Sequence, residues 1–311
     1  MKDDVFVTVG IPVYNEESFL SETIQSVVDQ SFDNIVIRIS DNCSTDNSAN
    51  IIREFAGLDK RITHHRHKET VSAIDNFKFL RDVSDTKYFM WLGAHDILKP
   101  GFIEEAVNAM ETNDKCSLFY PRTKRINKAK EILPIADFES ETKGMELYDR
   151  ILTVFKNMVS SSHIHGVFRL SQLKKIPLTN DGCEEYLVFL ISSVNGEFHA
   201  SGEVNLLRRE IREPESKEAL EERYLKSGYL YTRQYSYFNF ISFVLIKNIF
   251  LIKQLSYRER CKLFTAIKFY FIDKVSPISY NKIIHYFLFR KFDLRIVSCC
   301  ILKKIHLFIK S

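Results

Sequence analysis

A chain of 311 residues that is 45% hydrophobic can bury one large core or two smaller ones, and it holds no repeat or low-complexity tract. Six cysteines without metal-type spacing or a dense framework, Cys299 and Cys300 being adjacent, fit a reduced cytosol better than a disulfide scaffold. The net charge of +4 is uneven: residues 228–311 carry fifteen Lys or Arg against three Asp or Glu, near +12 against about −8 before them, so the tail suits an anionic surface.

The opening MKDDVF lacks a charged-then-apolar leader, so no secretory signal is expected. Val5, Val7, Val9, Ile11 and Val13 alternate with other residues at strand period, and Pro12 terminates the run. Phe19, Leu20, Thr23, Ile24, Val27 and Val28 follow at helical spacing. Ile35, Ile37 and Ile39 predict a second strand, Asp41-Asn42-Cys43-Ser44 a turn, and Ile51, Ile52 and Phe55 a second helix. Tyr88–Leu92 and Ser117–Tyr120 predict further strands, with a helix between them over Phe102, Ile103, Ala106, Val107 and Met110. Residues 122–145 read as a charged loop or hairpin and 146–159 as a helix. His165–Ile176 reads as a strand and a short helix, 184–194 as a helix, and Arg208–Glu222 as a charged mobile stretch. Strand–helix–strand–helix order builds a parallel sheet, and ligands of such sheets sit beyond the carboxyl ends of the strands, where Asn15, Glu16, Asp41 and Asp46 fall.

PVYNEE (Pro12–Glu17), SDNCSTDNS (Ser40–Ser48), WLGAHDIL (Trp91–Leu98) and DGCEEYLVFL (Asp181–Leu190) together resemble the family-2 glycosyltransferases, over roughly residues 5–210. The resemblance implies a GT-A type α/β fold: a Rossmann-like, mainly parallel sheet flanked by helices, here with a C-terminal helical extension. It divides the chain into a catalytic domain, 1–225, and an aromatic and basic extension, 226–311. Within the first, about 1–125 forms the nucleotide half and about 126–225 the acceptor half. The implied activity is inverting transfer of a sugar from a nucleotide donor, UDP-linked by expectation, to a saccharide or lipid-linked acceptor. The implied cofactor is a divalent metal, Mn²⁺ or Mg²⁺.

Site residues carry over by position. Asp41 would accept a hydrogen bond from the base, a specific contact because a mismatched base leaves a desolvated acceptor unpaired; its bland role is a turn cap. Pro12, Tyr14, Asn15 and Glu16 form the other wall, Tyr14 covering base or ribose, with Glu16 equally placed as a first-turn helix carboxylate. Ser44 and Asp46 are expected to cap the second helix. Asn76, in Thr70–Leu80, occupies a polar position near the donor.

At Gly93-Ala94-His95-Asp96 the chain departs from the family's two or three acids. Asp96 with His95 would bind the metal, and Ala94 and His95 would line the nucleotide; imidazole favours Mn²⁺ over Mg²⁺. A metal there would offset charge on the departing diphosphate, with Arg66, Lys68, Arg208 and Arg209 as supplementary cations. His64, His65 and His67 lie on an extended chain whose side chains alternate, so they form no zinc site alone. Inverting transfer needs a general base, and Glu185, then Glu184 and Asp181, fall where the family keeps an acid ahead of a helix. Gly166, upstream, would allow close backbone approach to a ligand.

The apolar run Tyr237–Ile252 is interrupted by Lys247 and is shorter than a membrane span. Its neighbours alternate aromatic and basic residues, which suits helices in an anionic membrane interface or a helical subdomain packed on the core. The location expected is cytoplasmic, peripheral on the inner membrane face; no nucleic-acid motif accompanies the basic residues. Two other readings compete. The missing acids would suit a nucleotide-binding scaffold without transfer activity. A nucleotidyltransferase would want a Gly-rich, Lys-bearing phosphate loop, which PVYNEE is not.

Overall fold

The computed structural model describes residues 6–135, 139–157, 161–178, 184–211 and 255–263. The predicted βα units form. β1 (Val7–Val13), β2 (Ile35–Asp41), β3 (Ile62–Arg66) and β4 (Tyr88–Trp91) are parallel in the order β3-β2-β1-β4. They are linked by α1 (Leu20–Val28), α2 (Ser48–Leu58) and α3 (Ala73–Asp82). β5 (Ile97–Leu98) and α4 (Phe102–Thr112) then lead into β6 (Cys116–Ile126). α5 (Leu147–Lys156), a 3₁₀ turn (Ser161–His165), β7 (Val167–Arg169), α6 (Leu170–Leu173), α7 (Glu184–Asn195) and β8 (Glu197–Arg209) complete the described domain.

The eight-stranded sheet runs β3-β2-β1-β4-β7-β6-β8-β5. β7 is antiparallel to both β4 and β6, β8 is parallel to β6, and β5 is antiparallel to β8. The period of two assigns each strand residue to a core. Val7, Val9, Ile11, Tyr88 and Met90 face α1 and α4 on one side, while Phe89 and Trp91 join α5, α6 and α7 on the other. Gly10 lies on that second face, where a Cβ would come within 2.9 Å of the Phe89 ring, so the strand closes on the aromatic layer only with glycine there.

Three expectations are corrected. The charged stretch from 122 is not loop throughout: β6 continues to Ile126 beside β8, and only Ile126–Ile132 bridges in hairpin fashion. Arg208 and Arg209 end a thirteen-residue strand instead of opening a mobile segment, and Arg209 is buried. Their charges conceal the strand because each is used internally. Third, Ser44 does not cap α2 but accepts from Asn15 N–H, whereas Asp46 does cap it, accepting from Ser48 N–H. Of the predicted extension, only 255–263 is described. Residues 257–263 are helical, and Leu255 and Leu263 are buried in the same core as α5 and α7. Tyr237–Ile252 and the later aromatic–basic stretches lie outside the described residues. No described helix is long and apolar enough to cross a membrane.

Candidate active site

The register Val13↔Asp41 brings the loops after β1 and β2 side by side at the strands' carboxyl ends. They are tied by reciprocal bonds. Asn15 takes a positive φ of 55°, its N–H donates to Ser44 Oγ at 3.0 Å, and its Oδ1 accepts from Thr45 N–H at 2.8 Å. Glu16 N–H donates to Ser48 Oγ at 2.9 Å and Glu17 N–H to Asp46 Oδ2 at 3.0 Å. Asp46 also accepts from Ser48 N–H, so it serves both loops, whereas Ser44 serves only the first. The side chain of Asn15, though exposed, therefore ties the two loops together.

Asp41 is 2% exposed. One carboxylate oxygen accepts from Ser44 N–H at 2.9 Å and the other from Arg66 Nη1 at 2.7 Å, while Arg66 Nη2 donates to Ser44 O. Arg66, much more exposed, roofs the carboxylate. A carboxylate has about four acceptor positions, so two bonds leave capacity for an incoming N–H. Tyr14 is half-exposed, and Pro12, expected to end the strand, lies within β1 opposite Ser40, with the strand running on to Val13. Asn76 is placed differently: it is buried, its Nδ2 donates to Ser40 O, and its Oδ1 pairs with His67. Its amide holds β2, β3 and α3 together and faces no open site.

Beyond β4 the Gly93–Asp96 turn supplies a second polar cluster. His95 Nδ1 lies 3.0 Å from Glu16 Oε1. Burial works against the imidazolium, but the Glu16 bond and the charges of Asp96 and Glu16 outweigh it, and the His95 pKa is raised. Ala94 is buried. Asp96 is buried too; its Oδ1 accepts from Arg209 N–H at 2.8 Å, and its Oδ2 lies 3.6 Å from His165 Nε2. His165 Nδ1 sits 3.1 Å from the Trp91 carbonyl. Burial, against the pull of Asp96, drives the His165 pKa down to about 4.

The supplementary cations separate by position. Arg66 belongs to Asp41. Arg209 is consumed by Glu22, the His95 carbonyl, the Lys128 carbonyl and the Phe19 ring. Arg208 remains beside the His95–His165 cluster, donating to Ser162 Oγ at 3.2 Å. Glu184 is buried in the first turn of α7, whereas Glu185 is turned to solvent; Asp181 lies outside the described residues. His165 carried no assigned role in the sequence, although its position directly before Gly166 at a strand start was a usable signal.

The metal expectation was Asp96 with His95. Glu16 takes one His95 nitrogen and leaves Nε2, and among the described residues no three His, Cys, Asp or Glu side chains gather as a metal cage. Asp96 fits a cation through Oδ2, since Oδ1 is the oxygen taken by the Arg209 N–H.

A model of glycosyl transferase family 2 matches residues 8–171. An uncharacterized glycosyltransferase of Haemophilus influenzae is 32% identical over 114 residues, 37% of this chain and 35% of that protein. The putative teichuronic acid biosynthesis glycosyltransferase TuaG of Bacillus subtilis is 29% identical over 105 residues, 33% and 41% of the two chains. The match thus spans well under two thirds of either relative. Among solved structures, S. aureus TarS 1–349 in complex with UDP-GlcNAc superposes with a TM-score of 0.66 at 13% identity, over 93% of this chain and 77% of that one, a likeness of fold. With the family model covering more than half of its length, the chain belongs to glycosyl transferase family 2.

Proposed function

We propose that this protein is an inverting glycosyltransferase that moves a sugar from a UDP-sugar to a saccharide or lipid-linked acceptor. The observation that carries this is the spacing of two polar clusters. Asp41 ends β2 and His95–Asp96 follow β4, with β1 between them, so roughly two interstrand spacings, about 10 Å, separate the strand ends. That span suits a base at Asp41 and a diphosphate at the Gly93–Asp96 turn. Asp41 would accept the imide N–H of uracil, Tyr14 would cover the nucleoside, and His95 with Arg208 would place positive charge beside the diphosphate. Asp96 would hold a divalent cation, whose chemistry is to offset charge on the departing nucleoside diphosphate. Glu185 or Glu184, with Asp181 as a third acid, would take the acceptor's proton.

The teichuronic acid role in the name of TuaG and the UDP-GlcNAc bound to TarS support a surface-polysaccharide acceptor and a UDP donor. The basic tail supports work at the inner face of the cytoplasmic membrane. A panel of UDP- and GDP-sugars, scored for released nucleoside diphosphate with saccharide acceptors, tests the proposal. UDP released from at least one UDP-sugar, with an inverted anomeric centre by NMR, is the result expected. Release confined to GDP-sugars would remove the uracil assignment, and tight UDP binding without release from any donor would favour the scaffold reading.

A further inference from the structure

β7 is only three residues long, and its pairing with β6 ends at Phe119, whereas β6 runs on to Ile126. Just past that point the register of β6 against β8 shifts twice, between Tyr120 and Arg122 and between Arg122 and Thr123. Bulges of this kind bend a strand and re-aim its side chains, and they recur beside binding sites. The 3₁₀ turn lies against the same part of β6. Gly166 lets it come so close: a Cβ there would lie 2.5 Å from the Leu118 side chain and 2.7 Å from the Phe119 carbonyl. A cavity of about 120 Å³ results between β6, the turn and Glu139. Drug-sized ligands take about 300–1,000 Å³, so the space suits one sugar ring and not a whole nucleotide sugar.

The walls have the chemistry of a polyol site. Tyr120 and Pro121 bring buried apolar surface, while Arg122 and Glu139 face solvent in part. Arg122 Nε and Nη2 donate to the two Glu139 carboxylate oxygens at 2.7 and 3.1 Å. Arg122 Nη1 is itself anchored on the Ser201 and Gly202 carbonyls at 2.6 and 2.9 Å. The carboxylate is therefore oriented from the strand behind it. A bidentate guanidinium uses two of a carboxylate's about four acceptor positions, and half of this side chain is exposed. Its charge is offset by Arg122 and would repel an anionic ring, so the pair selects uncharged hydroxyl groups.

Two contacts locate the cavity between the donor site and α7. Ser162, in its wall, accepts from Arg208 Nη1 at 3.2 Å, and Arg208 is the cation beside His95 and His165. The ring of His163, also in its wall, lies 4.2 Å from the Tyr120 ring and 5.9 Å from the Phe189 ring of α7. Phe189 follows Glu185 by four residues, so the two share one stripe of α7, about 6 Å apart along its axis.

We propose that this cavity is the acceptor subsite and that it holds one neutral sugar ring by its hydroxyl groups on the Glu139 carboxylate. The inference deepens the glycosyltransferase reading and rests on it. A ring seated there is one side chain away from Arg208 on the donor side and one helical turn from Glu185 on the other, the proximity that transfer requires.

The test uses the full chain with neutral methyl glycosides of glucose, galactose and N-acetylglucosamine, and methyl glucuronide as the anionic control. Binding is read by saturation-transfer NMR with and without UDP. At least one neutral glycoside should bind the wild type, and its signal should persist when UDP is added. Glu139→Ala, which deletes an exposed carboxylate, and Val204→Phe, which fills the cavity, should each weaken it at least about tenfold, with calorimetric UDP affinity unchanged. Wild-type glycoside binding in either folded variant overturns the assignment, as does displacement of the glycoside by UDP; if Val204→Phe fails to fold, Glu139→Ala decides. Binding of the glucuronide alone, or of no glycoside, overturns the neutral-sugar site while UDP binding keeps the donor reading. Glycoside binding that both variants abolish, in a protein without affinity for UDP, rejects the donor reading and with it the acceptor role.

Discussion

Replacing Asp41 by Asn probes the donor pocket without emptying it. The amide oxygen can still accept from Ser44 N–H, now 2.9 Å from the carboxylate, but the ion pair to Arg66 at 2.7 Å is lost. Arg66 is 44% exposed, so solvent screens most of that pair and rehydrates the freed guanidinium. The fold should lose only about 1 kcal/mol. Binding should suffer more. The base would meet Asp41 in a desolvated position, where a charge-assisted bond contributes about 1.5–3 kcal/mol. An amide whose N–H₂ faces the uracil imide replaces acceptor by donor, so UDP affinity should fall roughly 10- to 150-fold. Titration calorimetry of UDP, alongside urea unfolding of the same preparations, reads both quantities. Unchanged UDP affinity in a folded Asp41→Asn protein would refute the base contact, and a stability loss as large as the affinity loss would make the residue mainly structural.

Arg209→Ala should cost about 3 kcal/mol in urea unfolding, because removing the buried guanidinium leaves two carbonyls without that donor and Glu22 with Lys130 alone; a loss under about 1 kcal/mol would contradict this. Glu197 is buried; desolvation opposes its charge, but bonds from His199 and the Gly144 N–H outweigh it and lower its pKa below the ordinary 4.5. A lowered carboxylate stabilises the fold above its unfolded pKa and loses that contribution as pH falls through the native one. Glu197→Gln should therefore flatten the stability curve below pH 4.5, and an unchanged acid limb would be the contrary result. Glu185→Gln should leave UDP affinity unaltered and slow transfer roughly 10²–10⁴-fold. A near-normal rate there, beside a collapse in Glu184→Gln or Asp181→Asn, would move the base to that residue.

β1, β2 and β4 were legible because they are largely buried, and α1, α2 and α4 because each buries one face, which writes apolar periods into the sequence. β3 was hidden because only Ile62 among its five residues is buried, leaving a polar edge strand. β8 was hidden because its end carries Arg208 and Arg209, which read as solvated charge yet bond inward. The site divides the same way. Asp41 and Asp96 were marked by their turns, which are local in sequence. Arg66 over Asp41, Glu16 beside His95 and His165 opposite Asp96 are contacts over 25, 79 and 69 positions, set by strand order that no local pattern encodes. Asn76 shows the converse: a polar residue at a promising position whose amide serves the framework.

A crystal structure of the complex with UDP and Mn²⁺ tests the central claim most directly. The account predicts the uracil imide N–H on the Asp41 carboxylate, beneath Arg66 and beside Tyr14, and the diphosphate at the Gly93–Asp96 turn next to Arg208. Uracil seated away from the ends of β1 and β2, or a diphosphate remote from Asp96, would contradict it.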